Sequence, residues 1–273
     1  MDNNSTGQTF ASVSWLTNHY LAKSPQLSKY IATLPINSGD SVLDLGCGIG
    51  TYMDSYLKMV GKHGKVVGVD HDRNCLTKAQ EILTKGVFSN WELREGDIIK
   101  DLSIVCDFDK IILFNCLSYF KSPEKIIEQI YSKMSKHSVL IVKDFDMTTS
   151  SYNPIDKRLH GSLIESVKKA TYSQKNNSIN KLFGCSLHRI ARKISRDKHQ
   201  SGLWSYIFTY PFSQNQVDFM KNAFKNSIEI AHDFCDEETY IYINNAFISD
   251  NAFFYECEHS VFVENEHVVM LTA

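Results

Sequence analysis

The densest chemical signal in the chain is Val42-Leu43-Asp44-Leu45-Gly46-Cys47-Gly48-Ile49-Gly50. An apolar run ends in the carboxylate of Asp44 and opens directly into Gly-x-Gly-x-Gly. Glycine reaches positive φ without a Cβ clash, so such a turn lets a ligand approach the backbone closely. The dinucleotide fingerprint wants its third glycine one place later, where this chain has Thr51. A ligand without a pyrophosphate is therefore favoured. A second apolar run, Val66-Val67-Gly68-Val69, ends in Asp70, 24 residues after Gly46. An acid at that distance can accept both hydroxyls of a ribose, and His71 comes next, near the same sugar. Arg94-Glu95-Gly96-Asp97-Ile98 closes a third run and places Asp97 to receive an adenine amino group.

Acids and glycines at strand ends need a sheet that brings those ends together. Short β-branched runs at 41–45, 66–69, 91–95, 110–114 and 138–143 alternate with helical patterns at 51–60, 72–85 and 123–134. Pro123 suits the first turn of its helix, with Ser122 as N-cap. This alternation predicts an α/β fold with a doubly wound, Rossmann-like, mostly parallel sheet. Residues 10–34 read as helical, and Pro25 is expected to divide them into two helices. Beyond Asp146 the rhythm breaks. Residues 151–205 show no strand pattern but two amphipathic helices, at 155–171 and 187–196. A helix at 214–224 and strand-like runs at 227–234 and 252–263 come after them. The expected organisation is one domain: an N-terminal helical lid (1–40), a core (41–150 and 206–273) and a helical cap insertion (151–205).

The chain resembles the class I S-adenosylmethionine-dependent methyltransferases over roughly residues 41–146. Four motif positions carry the resemblance in order: the Asp44-to-Gly50 loop, Asp70, the Gly96-Asp97 pair, and Phe114-Asn115-Cys116-Leu117-Ser118-Tyr119-Phe120. The resemblance implies S-adenosylmethionine as cofactor. It implies that the Gly46, Cys47, Gly48 and Gly50 backbone cradles the methionine part and that Asp44 holds its amino group. Asp70 takes the ribose, Asp97 and Ile98 frame the adenine, and Asn115 lies beside the methionine moiety. Tyr20 and Tyr119 border the sulfonium, where an aromatic face attracts a cation. The usual Gly-Gly before the fifth strand is Lys136-His137 here, a departure that affects a turn.

The segment after the fourth strand discriminates among acceptors. Base N-methyltransferases of this class show Asn or Asp followed by Pro-Pro and an aromatic, whereas this chain has Asn115-Cys116-Leu117-Ser118. The paired glutamates of arginine methyltransferases and the acid pattern of metal-dependent catechol enzymes are missing too. The reading that remains is a small-molecule acceptor methylated at O, N or C, with nucleic acid and membrane not expected as partners. The oligomeric state is open, a homodimer included. Tyr152, Phe183, Trp204, Tyr206 and Phe208 in or beside the insertion suggest a partly apolar acceptor under a cap that excludes water. His19, His160 and His188 are the candidates for a general base, because imidazole titrates near neutrality. His259 and His267 stand among acids of the C-terminal segment at a spacing that points to no particular metal, and none is assigned.

Composition bounds these readings. The chain has 273 residues, a formal net charge of −2, and no apolar stretch long enough for a membrane span. Seven scattered cysteines without a CxxC pair, and no basic-then-apolar leader at the start, are expected of a cytoplasmic protein. The near-neutral total conceals an asymmetry: 151–205 carries eleven Lys and Arg against three acids, and 228–273 carries ten acids and no Lys or Arg. The basic segment reads as a solvated helix face, paired with the acidic C-terminus. The alternatives are an RNA or other polyanion acceptor, and a non-catalytic cofactor-binding protein of the same fold.

Overall fold

The computed structural model describes residues 11–98, 100, 102–173, 180–196 and 198–273. Residues 1–10 of the expected lid, and 174–179 and 197 of the expected cap, lie outside the described residues. The chain begins with one long helix, α1 (Val13–Ile31), capped by the Ser12 hydroxyl. Pro25 does not divide it. The missing proline N–H frees the Leu21 carbonyl, and the Ser24 hydroxyl donates to that carbonyl instead (3.4 Å).

Next come β1 (Ser41–Leu45), α2 (Met53–Val60), β2 (Lys65–Asp70), α3 (Arg73–Leu83), β3 (Trp91–Glu95), β4 (Lys110–Phe114), α4 (Pro123–Ser132) and β5 (Val139–Phe145). The five strands are parallel, in the order β3-β2-β1-β4-β5. Their near-continuous apolar runs suit a sheet covered on both faces. Alternate residues go to opposite cores: Val42, Val66 and Ile112 to one, Leu43, Val67 and Ile111 to the other. The Asp72 carboxylate caps α3 through the Asn74 amide. Ser122 occupies the N-cap position of α4, but its side chain makes no capping bond.

The second part of the chain adds β6 (Ser151–Asn153), α5 (Lys157–Tyr172), α6 (Ser186–Ser195), β7 (His199–Thr209), α7 (Gln214–Ala231), α8 (Glu237–Ile243) and β8 (Val261–Thr272). β8 runs antiparallel to β5 and β6, and β7 runs antiparallel to β8. Three expectations are corrected here. Residues 151–205 do contain strand: β6 lies inside them and β7 begins at His199, held by the full-length ladder to β8. Residues 227–234 are not a strand, because Phe224, Ser227, Ile228 and Ala231 bury one helical face of α7. In 252–263 the strand starts only at Val261; Phe253–Tyr255 form a single tight turn around the buried Phe254.

The basic segment meets the acidic C-terminal segment at Arg158, which pairs with Glu238, whereas the basic face of α6 meets the acids of α4. Lys193 pairs with Glu124 and Glu128 of α4, and Arg189 lies 3.7 Å from Glu124. Such exposed pairs are individually worth little. The C-terminal Glu264 and Glu266 point the other way, into the core beneath α1.

Candidate active site

A cavity of about 780 Å³ opens at the carboxyl ends of β1, β2 and β4, where the strand order reverses and doubly wound sheets bind ligands. Its first wall is the turn after β1. The Gly46 and Cys47 amides donate to the Val69 carbonyl (2.7 and 3.0 Å), which fastens the turn to β2. Gly46 has φ +78, and a Cβ there would lie 2.3 Å from Cys116 Sγ. Gly50 has φ +70, and its Cβ would meet Ala79 Cβ at 2.9 Å. Gly46 thus lets the turn pass under the segment after β4, while Gly50 lets α3 pack against the turn from behind.

Asp70 ends β2 and faces this turn. Its Oδ2 accepts from the Gly48 amide (2.7 Å) and its Oδ1 from the Asp72 amide (2.9 Å). Burial raises its pKa against the effect of those two amides. Asp44 lies deeper, 1% exposed, and its Oδ2 has no hydrogen-bond partner among the described residues. Burial first, and the Asp70 charge second, push its pKa to about 7. Asn115 at the end of β4 takes the left-handed conformation (φ 53), which Asn tolerates better than most residues. Its side chain accepts from Lys143 Nζ (3.1 Å) and donates to Glu266 (3.4 Å).

Beyond Asn115 lies a buried ion cluster that the sequence reading missed. Lys143 on β5 binds Glu266 on β8, and Lys23 on α1 binds both Glu264 and Glu266. Lys23 Nζ also lies 2.9 Å from His19 Nε2. An ammonium only donates, so this nitrogen of His19 accepts and the ring proton sits on Nδ1. Burial and the neighbouring Lys23 hold the His19 pKa well below its usual value, so the ring is neutral. Lys143 and Lys23 hold Glu266 ionised against the effect of burial. His19, Glu264 and Glu266 approach one another closely enough to ligate a cation. The Lys23 ammonium stands among them, within hydrogen-bond reach of all three. One signal was legible: Lys143, Glu264 and Glu266 are charges at inward-facing positions of otherwise apolar strands.

Most of the expected site residues converge. Gly46, Cys47, Gly48, Asp70, His71 and Asn115 line the cavity, as do Gly96, Asp97 and Ile98 after β3. His19 and Tyr20 of α1 and Tyr119 line it from the other side. Asp44 lies under the turn and Gly50 behind it. Two of the three candidate histidines are elsewhere. His160 packs behind Tyr152 (ring centroids 4.9 Å apart). His188 Nε2 meets His267 Nδ1 at 2.8 Å, where α6 covers β8. Of the five aromatics expected at the acceptor, only Tyr152 reaches the cavity; Phe183, Trp204, Tyr206 and Phe208 are core. Their place is taken by Phe219 and Phe224 of α7 and by Phe262 of β8.

A family model for a methyltransferase domain matches residues 36–232. The chain belongs to the methyltransferase domain family. (S)-coclaurine N-methyltransferase of Thalictrum flavum is 28% identical over 138 residues, covering 50% of this chain and 38% of that enzyme. Demethylmenaquinone methyltransferase of Lactobacillus johnsonii is 25% identical over 130 residues, covering 47% and 52%. The chain thus spans about half the length, or less, of these curated relatives. A cyclopropane-fatty-acyl-phospholipid synthase-like protein from Lactobacillus casei shares the fold, with TM-score 0.58, 14% identity and 94% of each chain covered. The cofactor that goes with this family is S-adenosylmethionine. The buried, unpartnered Oδ2 of Asp44 fits it, since an arriving ammonium would supply the missing donor and counter-charge.

Proposed function

We infer that this chain transfers a methyl group from S-adenosylmethionine to a small, partly apolar acceptor. The observation that carries the reading is the continuity of one cavity, from the Gly46–Gly48 turn and Asp70 at one end to Phe219, Phe224, Tyr152 and Phe262 at the other. When bound, the cofactor supplies an electrophilic methyl group on a sulfonium, open to in-line displacement.

In this reading Asp44 holds the amino group and Asp70 the ribose, while Asp97 and Ile98 frame the adenine. Asn115, locked by Lys143 and Glu266, sits between the two ends of the cavity. α1 contributes Trp15, Leu16, His19 and Tyr20 as a roof, which excludes water and fixes the acceptor's approach. Orientation of this kind can be worth roughly 7–11 kcal/mol. His19 is a positioning group in this scheme: its Nε2 lone pair is committed to Lys23, and Nδ1–H is the donor it can offer. The insertion 151–205 supplies Tyr152, Asn180 and Lys181 to the wall, and α7 completes the cap.

The small-molecule reading is supported over RNA by the basic face of α6. Arg189 and Lys193 are engaged with α4 and do not line the cavity. Seven free cysteines support a reducing, cytoplasmic setting, and among the described residues no helix is long and apolar enough to cross a membrane. Incubation with methyl-labelled cofactor and a fractionated cell extract tests the reading. Label in the low-molecular-mass fraction is expected; label in RNA or protein would overturn the acceptor class, and no transfer with intact cofactor binding would favour a non-catalytic binding protein.

A further inference from the structure

Of the buried lysines near the cavity, Lys181 lines its wall, whereas Lys23 and Lys143 lie in the ion cluster with Glu264 and Glu266. Lys23 and Lys143 each hold a carboxylate. Lys181, only 8% exposed, donates to the Ala223 carbonyl (3.2 Å) and the Ser227 hydroxyl (2.9 Å) of α7. Among the described residues no carboxylate lies within ion-pair distance of it. The lysine is fixed in place: its carbonyl accepts from the Met147 amide (2.9 Å), and Asn180 beside it donates to the Ser118 carbonyl (2.8 Å).

An ammonium has three protons to donate. Two neutral acceptors leave one donor over. The carboxylates that offset the charge, Glu264 and Glu229, do so from beyond ion-pair distance, in a wall shared with Tyr152, Phe219, Phe224 and Phe262. A buried charge without a counter-ion in contact is costly, and burial outweighs the attraction of Glu264 and Glu229 to pull this lysine down to about 8. An incoming anion that takes the spare proton would lower that cost by direct contact, which Glu264 and Glu229 do not make.

We propose that Lys181 is the docking point for a carboxylate on the methyl acceptor, whose apolar body lies against Phe219, Phe224 and Phe262. The proposal rests on the small-molecule reading above and narrows it to amphipathic acids. A carboxylate is favoured over a phosphate dianion because, among the described residues, no arginine lines the cavity. The Ser227 hydroxyl, held between Lys181 and the Ala223 carbonyl (2.8 Å), aligns the ammonium.

The test compares 2-naphthoate with its neutral isostere 2-naphthamide by fluorescence titration, with and without S-adenosylhomocysteine. A charge-assisted hydrogen bond should favour naphthoate by about tenfold or more. Lys181→Gln should reduce the preference to within about twofold, and Lys181→Arg should retain most of it. Equal binding of the two probes by the parent chain, or an undiminished preference in Lys181→Gln, would overturn the proposal. Calorimetry with S-adenosylhomocysteine reads the cofactor end separately. Its failure on the parent chain would count against the methyltransferase reading, while naphthoate discrimination is scored by itself.

Discussion

The carboxylate of Asp70 and the amide of Gly48 are joined by a 2.7 Å hydrogen bond that ties the end of β2 to the turn after β1. One side chain therefore shapes the turn and, in the proposed function, holds the ribose.

Asp70→Ala should weaken binding of S-adenosylhomocysteine by about 100-fold, since hydrogen bonds to a charged group are worth roughly 1.5–3 kcal/mol each. Calorimetric titration measures this directly. An affinity equal to that of the parent chain would refute the ribose assignment.

The pH dependence that Asp44 gives to stability and to cofactor affinity should have opposite signs. Asp44 and Asp144, both raised chiefly by burial to about 7, keep protons in the folded chain that the unfolded chain releases near its ordinary 3.8. Folded protein thus binds more protons between these values. The contribution of these two carboxyls to stability should fall as pH rises from about 4 to about 7 and level off above. An opposite contribution comes from His19, His160, His188 and His267, whose pKa values burial lowers. The part due to Asp44 is read as the difference between the parent chain and Asp44→Asn. An ammonium beside Asp44 favours the ionised form, so affinity for S-adenosylhomocysteine should rise between about pH 6 and 8. Urea denaturation and calorimetry across that range read the two trends, and Asp44→Asn should flatten the second.

Glu266→Ala should be among the most damaging single changes in the chain. It strips Lys143 of its counter-ion and Lys23 of one of two, and an unpaired buried charge costs about 3–5 kcal/mol. The shift in denaturation midpoint would show this. A loss below about 1 kcal/mol would mean that the cluster is open to water.

The three candidate histidines should separate cleanly in methyl transfer. His160→Phe and His188→Ala, away from the cavity, are expected to change kcat/KM by no more than about threefold. His19→Ala should lower it by at least about tenfold, the value of a lost charge-assisted hydrogen bond. Because the His19 ring is neutral, that loss should be the same at pH 6 and pH 8.

The proposed cofactor end was legible in the sequence as one cluster because its residues close consecutive strands of one parallel sheet. Asp44, Asp70, Asp97 and Asn115 each stand at or just past a strand end, and a parallel sheet sets all such ends along one edge. The opposite end of the cavity, the proposed acceptor end, was not legible, since it is assembled across the chain. Lys23 and Glu266 stand 243 residues apart, and no local pattern relates them. The strand reading of 227–234 failed for a different reason. Ile228 and Ile230 flank a glutamate and imitate the period of a strand, yet both are buried in α7, as are Phe224 and Ala231. In β7 the exposed Leu203 and Ile207 blurred the alternation that marks a half-buried strand.

α1 also borders β7. Gln26 exchanges two hydrogen bonds with the Ile207 backbone, and Tyr30 does the same with Ser205. A strand left with free amides and carbonyls is a template on which other chains can pair. The roof of the cavity is therefore also a guard against polymerisation, and a change that loosened it to admit a larger acceptor would expose a sticky edge as well.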